Sequence, residues 1–168
     1  CSDGSFVCDP ADCPAEDPDV YIIAGNASAS GNMAYVTISY ESAVDIAGIQ
    51  FNISDEPDVA VAVDFSTDDD TFMASFSDLE GDVTGLYFSI TGDVLPATDE
   101  QTVFATLTYE LTSELSPGDV IDLHVSGVVC ADANGGEVAS MGVDGSISSG
   151  GMAGDVNGDG SVNVQDII

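Results

Sequence analysis

A chain of 168 residues with 31 Asp and Glu, no Lys, no Arg and one His cannot form ordinary ion pairs. Its fold must rest on apolar burial and backbone hydrogen-bond ladders, because His124 is the sole side chain that can offer a carboxylate a positive charge. The formal charge of −31 also sets up a repulsion that salt or bound cations must relieve. Hydrophobic residues make up 44% of the chain. That is enough for one domain with a real core, so the acidity does not mark a disordered tail. The same balance excludes nucleic acid and anionic membrane surfaces as direct partners, since both are held by Lys and Arg. A saline or calcium-rich exterior suits it.

From Val20 onward the sequence falls into short runs of period two, broken by Gly, Asp, Asn and Pro. Val36, Ile38 and Tyr40 fall on one face, as do Ile49, Phe51 and Ile53. The same holds for Val59, Val61, Val63 and Phe65, for Phe72, Ala74 and Phe76, and for Leu86, Phe88 and Ile90. Val103, Ala105, Leu107, Tyr109 and Leu111 form the longest stripe; Ile121, Leu123 and Val125 form a shorter one. Val138 to Ile147 supplies a last, Gly-interrupted strand. No segment sustains a period of 3.6. With Val20 to Ala24 counted first, nine short strands are expected, each apolar on one face and small or polar on the other. That is the signature of an all-β protein, a nine-stranded antiparallel jelly roll or β-sandwich. On this reading Phe88→Asp unfolds the domain and Thr106→Asp is tolerated.

Residues 1–19 are rich in Cys, Pro and Asp and read as an irregular arm before a sandwich over 20–149; residues 150–168 read as a linker and tail. Four cysteines, Cys1, Cys8, Cys13 and Cys130, fit two disulfides formed in an oxidising compartment, with three connectivities open. One bridge within the arm and one from the arm to Cys130 are favoured. The spacing of the first three is not that of a zinc knuckle. With Cys1 first, the chain reads as a mature one whose signal has been removed. No apolar run is long enough to span a membrane. Asn26-Ala-Ser28 and Asn52-Ile-Ser54 are N-glycosylation sequons. Together these features place the protein outside the cell or on its surface.

The tail carries the most specific chemistry. In GDVNGDGSVNVQDII, residues 154–168, Asp155 takes the first position of a calcium loop, Asn157 the third and Asp159 the fifth. Gly160 falls at the sharp turn, Ser161 at the carbonyl position and Asn163 at the water-bridged one. Asp166 closes the loop where Glu is commoner. These oxygens suit Ca²⁺, a hard cation that takes six to eight of them. Two further oxygen-rich turns, at Asp68, Asp69 and Asp70 and at Asp132, Asn134 and Glu137, are weaker candidates that read first as solvated turns.

The tail loop resembles the first half of a type I dockerin, a family that repeats D-x-N-x-D-G with Asp in the closing position. The resemblance implies that the two positions before that Asp, Val164 and Gln165, help to choose the partner. Residues 20–149 resemble a cohesin domain through AGIQFNIS (47–54), GLYFSITGDVLP (85–96), TVFATLTYEL (102–111) and GVVCADANGGEV (127–138). This implies a jelly roll in which one sheet, the family's strands 8, 3, 6 and 5, receives a dockerin. Mapped onto this chain, its outward positions are Gln50, Asn52, Met73, Ser75, Tyr87, Ser89, Asp122 and His124. A glycan on Asn52 would obstruct that sheet.

Catalysis has little to build on. His124 lies beside Asp122 and Ser126 on an outward strand face, with no sign of a nucleophile elbow or an oxyanion hole. The expectation is a non-enzyme: an extracellular structural protein that assembles head to tail into a filament. In it the calcium-ordered tail of one copy contacts the sandwich of the next. The alternative is a monomeric cohesin-type adaptor for dockerin-bearing proteins or a carbohydrate, with Tyr35, Tyr87 and Phe104 read as outward aromatics.

Overall fold

The computed structural model describes residues 17–79 and 81–150. The expected calcium loop from Asp155 to Asp166, with Val164 and Gln165 in it, lies outside the described residues, as do Cys1, Cys8 and Cys13.

The described chain is all strand, with no helix. In order it forms β1 (Val20–Ala24), β2 (Asn26–Ser28), β3 (Met33–Ser42), β4 (Gly48–Glu56), β5 (Ala60–Ser66) and β6 (Phe72–Leu79). Then come β7 (Asp82–Ser89), β8 (Thr98–Leu111), β9 (Val120–Ala131), β10 (Glu137–Val138), β11 (Ser140–Val143) and β12 (Gly145–Ser148). One sheet runs β11-β1-β3-β8-β5; the other runs β2-β12-β9-β4-β7-β6, with β10 also paired to β9. Pairing is antiparallel except where β1 meets β11 and β2 meets β12.

Twelve strands thus replace the nine expected, because the first and last runs change sheets. The first run breaks at Gly25, where a Cβ would sit 2.5 Å from the Thr37 hydroxyl oxygen. The last breaks before Gly145, where a Cβ would sit 2.5 Å from the Ala24 carbonyl. Glycine is required where one backbone crosses so close to another. The two runs lie side by side and cross together, which makes their pairs the parallel ones.

The core is the space between the sheets. Ile22, Val36, Ile38, Leu107 and Leu111 of one sheet face Phe51, Ile53, Val83, Ile121, Leu123 and Ile147 of the other, all buried. At ~25 cal/mol per Å² each such side chain contributes about 2 kcal/mol before entropy is subtracted. Phe51 and Phe65 meet edge to face across the gap, with centroids 5.7 Å apart. Cys130, on β9, is fully buried, and burial pushes its thiol up to about 11. Its expected disulfide partners are among the residues not described. Among the described residues, His124 Nδ1 lies 3.1 Å from Asp144 Oδ2, a contact that is an ion pair when the imidazole is protonated.

Three stripes differ from the alternation read in the sequence. On β7 the inward residues are Val83, Gly85 and Tyr87, while Leu86, Phe88 and Ile90 are exposed. Phe88→Asp therefore does not strike the core. Gly85 explains the choice of face: a Cβ there would lie 2.4 Å from the Phe51 ring. Tyr87 then stacks on Phe72 at a centroid distance of 4.7 Å. On β5 a register shift between Ala62 and Asp64 turns Val61 and Val63 outward and leaves Ala60, Ala62 and Phe65 inside. On β8 the matching shift lies opposite Ile38 and Ser39; it exposes Val103 and buries Phe104, which the sequence placed outside. Each bulge adds one residue to a strand and so moves the alternation to the other face.

Candidate partner-binding face

Strands β9, β4, β7 and β6 lie side by side, and their outer face is open. The strand registers arrange it in rows. Met73 is opposite Phe88, which is opposite Gly48. Ser75 is opposite Leu86, Leu86 opposite Gln50, and Gln50 opposite Val129. The next row is Ser77, Thr84, Asn52 and Ser126, and the one after it Leu79, Asp82, Ser54 and His124. One end of the face is therefore apolar: Met73, Leu86, Phe88 and Val129 are 48%, 40%, 37% and 43% exposed, around the amide of Gln50. The middle is hydroxyl and amide. The far end carries Asp82, Asp122 and His124.

The centre is tightly specified. Asn52 accepts a hydrogen bond at Oδ1 from the Thr84 hydroxyl, 3.0 Å away. Its Nδ2 lies over Gly127, where a Cβ would approach it to 2.7 Å. Gly127 has φ +57° and sits where β9 gains a residue against β4, so this bulge demands glycine twice over. The sequon nitrogen of Asn52 is thus packed against backbone within the face. Asn26, the other sequon residue, is exposed on β2, and its Oδ1 accepts from the Ser146 hydroxyl at 3.0 Å.

Most sequence-derived positions fall where expected. Gln50, Met73, Ser75, Asp122 and His124 are exposed on this face, and Asn52 is half-buried in its middle. Two are misplaced. Tyr87 is 1% exposed and points into the core. Ser89 has the same inward parity, and its hydroxyl accepts from the amides of Thr91 and Asp93 at the strand end. Leu86 and Phe88 take their places. The sequence signal that could have found them is Gly85, whose position in the Val83-Gly85-Tyr87 series suits the side that faces a ring.

His124 does not engage its strand neighbours. Its Nδ1 is 3.1 Å from Asp144 Oδ2, and the other Asp144 oxygen accepts from the Val125 amide at 2.8 Å. These bonds, the amide's first, hold the Asp144 carboxyl below the usual range. His124 is thus tied to the loop between β11 and β12. Neither Asp122 nor Ser126 is among its hydrogen-bond partners, so the arrangement is not a Ser–His–Asp one. At the second oxygen-rich turn, Asp132 Oδ1 accepts from the amides of Asn134 and Gly136, each at 2.8 Å, and so closes its own turn. Among the described residues, no group of three or more His, Cys, Asp or Glu is placed to hold a metal ion.

Solved structures with the same architecture are cohesin domains. The sixth cohesin of scaffoldin B from Acetivibrio cellulolyticus, solved with a Cel5 dockerin, aligns with a TM-score of 0.62 at 14% identity, covering 78% of this chain and 99% of that one. The fold is cohesin-like. A chain of a type I cohesin–dockerin complex from Clostridium thermocellum aligns with a TM-score of 0.61 at 20% identity, covering 77% of this chain and 98% of its own. A non-cellulosomal cohesin from the hyperthermophilic archaeon Archaeoglobus fulgidus gives a TM-score of 0.59 at 17% identity, with 77% and 89% covered. No protein-family model and no curated protein sequence matches the chain. Among the described residues, no helix is long and apolar enough to cross a membrane.

Proposed function

We propose that this cohesin-like sandwich is an extracellular, non-catalytic binding module that receives a dockerin-type partner on the outer face of β9, β4, β7 and β6. The observation that carries the reading is the cluster of Met73, Leu86, Phe88 and Val129, exposed together at one end of that face. It offers an apolar anchor at one end, hydroxyls and amides beside it, and charge at the far rim, the classes of contact that interfaces combine. The rim charge is all acidic apart from His124, so the partner should bring Lys or Arg to it. Cohesins solved in complex with dockerins share this fold, which supports the choice of partner class.

The test is calorimetric titration of the whole chain with a panel of type I dockerins in millimolar calcium. Leu86→Ser combined with Phe88→Ser, which adds no charge to the acidic chain, should weaken binding at least tenfold, with the unfolding midpoint little changed because both side chains lie outside the core. An unaltered affinity in that variant would move the site elsewhere. No binding by any dockerin would reject the partner class.

A second reading is favoured by the tail sequence. If Asp155, Asn157, Asp159, Ser161, Asn163 and Asp166 bind Ca²⁺, the tail of one copy could engage the face of the next, with Val164 and Gln165 at the contact. Such a head-to-tail contact builds rings or filaments. Light scattering that grows with calcium and reverses with EDTA supports self-assembly. A monodisperse monomer in millimolar calcium supports the adaptor.

A further inference from the structure

A cleft of about 730 Å³ opens at one end of the sandwich, between the two sheets. It is independent of the outer face just described. Its floor is aromatic. Phe104, thrust inward by the β8 bulge, meets Tyr87 at a centroid distance of 4.7 Å and Tyr40 at 6.2 Å. Both phenols are turned to fixed partners: Tyr40 Oη donates to the Pro96 carbonyl at 3.0 Å, and Tyr87 Oη lies 3.4 Å from the Thr67 hydroxyl. Leu95 and Pro96 line it on the apolar side, the exposed Val103 borders its mouth, and Asp68, Asp69 and Asp70 line it from the exposed turn after β5.

The turn after β5 is held to the floor. The Thr67 hydroxyl donates to the Phe104 carbonyl at 2.8 Å and accepts from the Asp69 amide at 3.2 Å. Asp69 Oδ1 accepts from both the hydroxyl and the amide of Thr71, at 2.7 and 2.9 Å. Those bonds keep its carboxyl below the usual range, so it stays ionised.

Three carboxylates therefore line a cleft of mixed hydroxyl and apolar character in a chain with no Lys or Arg to neutralise them. An anion is repelled. A sugar finds no stacking platform, because Tyr40, Tyr87 and Phe104 are each buried to within a few per cent. A bare metal ion lacks a placed ligand cluster among the described residues. What matches is a cation at the end of an apolar stem, the stem against the apolar side and the charge among the carboxylates.

We propose that this cleft takes a Lys or Arg side chain of a basic partner protein, its stem against Leu95, Pro96 and Val103 and its charge among Asp68, Asp69 and Asp70. The whole chain is titrated with n-butylammonium, butylguanidinium, an acetylated Lys-bearing tetrapeptide amide and spermidine, with n-butanol as the neutral control, at about 0.15 M salt so that distant charges are screened. The readouts are tyrosine emission, clean because the chain has no Trp, and NMR shifts of the Leu95 and Val103 methyl groups. The expected result is saturable binding of the two butyl cations and the peptide, with those methyl groups shifting. The Asp68→Asn, Asp69→Asn, Asp70→Asn triple variant should weaken it about tenfold or more, and so should Val103→Trp, which fills the mouth from an exposed position. Asp19→Asn, Glu114→Gln and Glu137→Gln together remove the same charge elsewhere and should leave binding intact. Equal loss in both triple variants would mean diffuse charge attraction and overturn the site. Butanol bound as well as butylammonium would overturn the role of the carboxylates. Spermidine bound without the peptide would overturn the protein partner in favour of a free polyamine.

Discussion

Phe51 and Gly85 are directly opposed across β4 and β7, on the side that faces the core. The ring occupies the space a side chain at position 85 would need, and its neighbour Phe65 closes on it from the other sheet. Gly85 does not have the left-handed backbone of Gly127, so its requirement is purely one of packing. Gly85→Ala should therefore destabilise the fold by about 1–3 kcal/mol, the usual cost of overfilling a packed core. Urea denaturation measures it. A midpoint equal to that of the parent protein would show that Phe51 can swing aside, and that the outward placement of Leu86 and Phe88 is less firmly fixed than the contact implies.

At the scale of strands, β5 is an edge, and its exposed amides are covered by carboxylates. Asp55 Oδ2 accepts from the amides of Val59 and Ala60 at 2.8 and 2.9 Å, and Asp78 Oδ2 accepts from that of Ala62 at 2.8 Å. Inward-pointing charge of this kind blocks pairing with another chain's edge. Asp55 is also buried, and that desolvation raises its pKa in spite of the two amide bonds. A carboxyl whose folded pKa is raised contributes most when protonated. Its contribution is complete below the unfolded value, about 3.9, and is lost as pH rises through the higher folded value. Asp55→Asn cannot ionise, so its stability relative to the parent should be better at pH 7 than at pH 4. Comparing the two pH values cancels any constant effect of the changed side chain. Urea midpoints at both test it, and the opposite order would contradict the raised pKa.

The same scale shows what the sequence could and could not reveal. In β3, β4, β6 and β9 the apolar residues that the alternation turned inward do face the core, although Ser39 on β3, of the opposite parity, is buried as well. In β5 and β8 it fails at bulges, and nothing in the chemistry of Val63 or Phe104 announces an extra residue. In β7 there is no bulge; apolar residues simply occupy both faces, Val83 and Tyr87 on one, Leu86 and Phe88 on the other. Period two is then silent about which side is the core, and the answer comes from a ring on another strand. The candidate face was thus legible as a set of four strands and at Gln50, Met73, Ser75, Asp122 and His124, but it was read one residue out of step on β7. The cleft could not be read at all, since its floor depends on the β8 bulge.

For the whole molecule the decisive quantity is the charge. Two like charges about 10 Å apart in water repel by about 0.4 kcal/mol before screening, and this chain carries a net −31. In most proteins added salt weakens attraction and repulsion together, and the two losses partly cancel. Here the attraction that salt can weaken is, among the described residues, one exposed pair, His124 with Asp144. The response should therefore have a single sign: raising NaCl from about 0.01 M to about 1 M, which shortens the screening length from about 30 to about 3 Å, should raise the urea midpoint steadily. Tetramethylammonium chloride should act almost as well, because screening does not depend on cation identity. Calcium bound at the tail would differ in form, saturating at low concentration on top of the gradual rise. A midpoint flat or falling across the NaCl series would mean that the acidic residues lie too far apart, or are too well compensated, for repulsion to limit stability; the acidity would then have to be explained by the partner rather than by the fold.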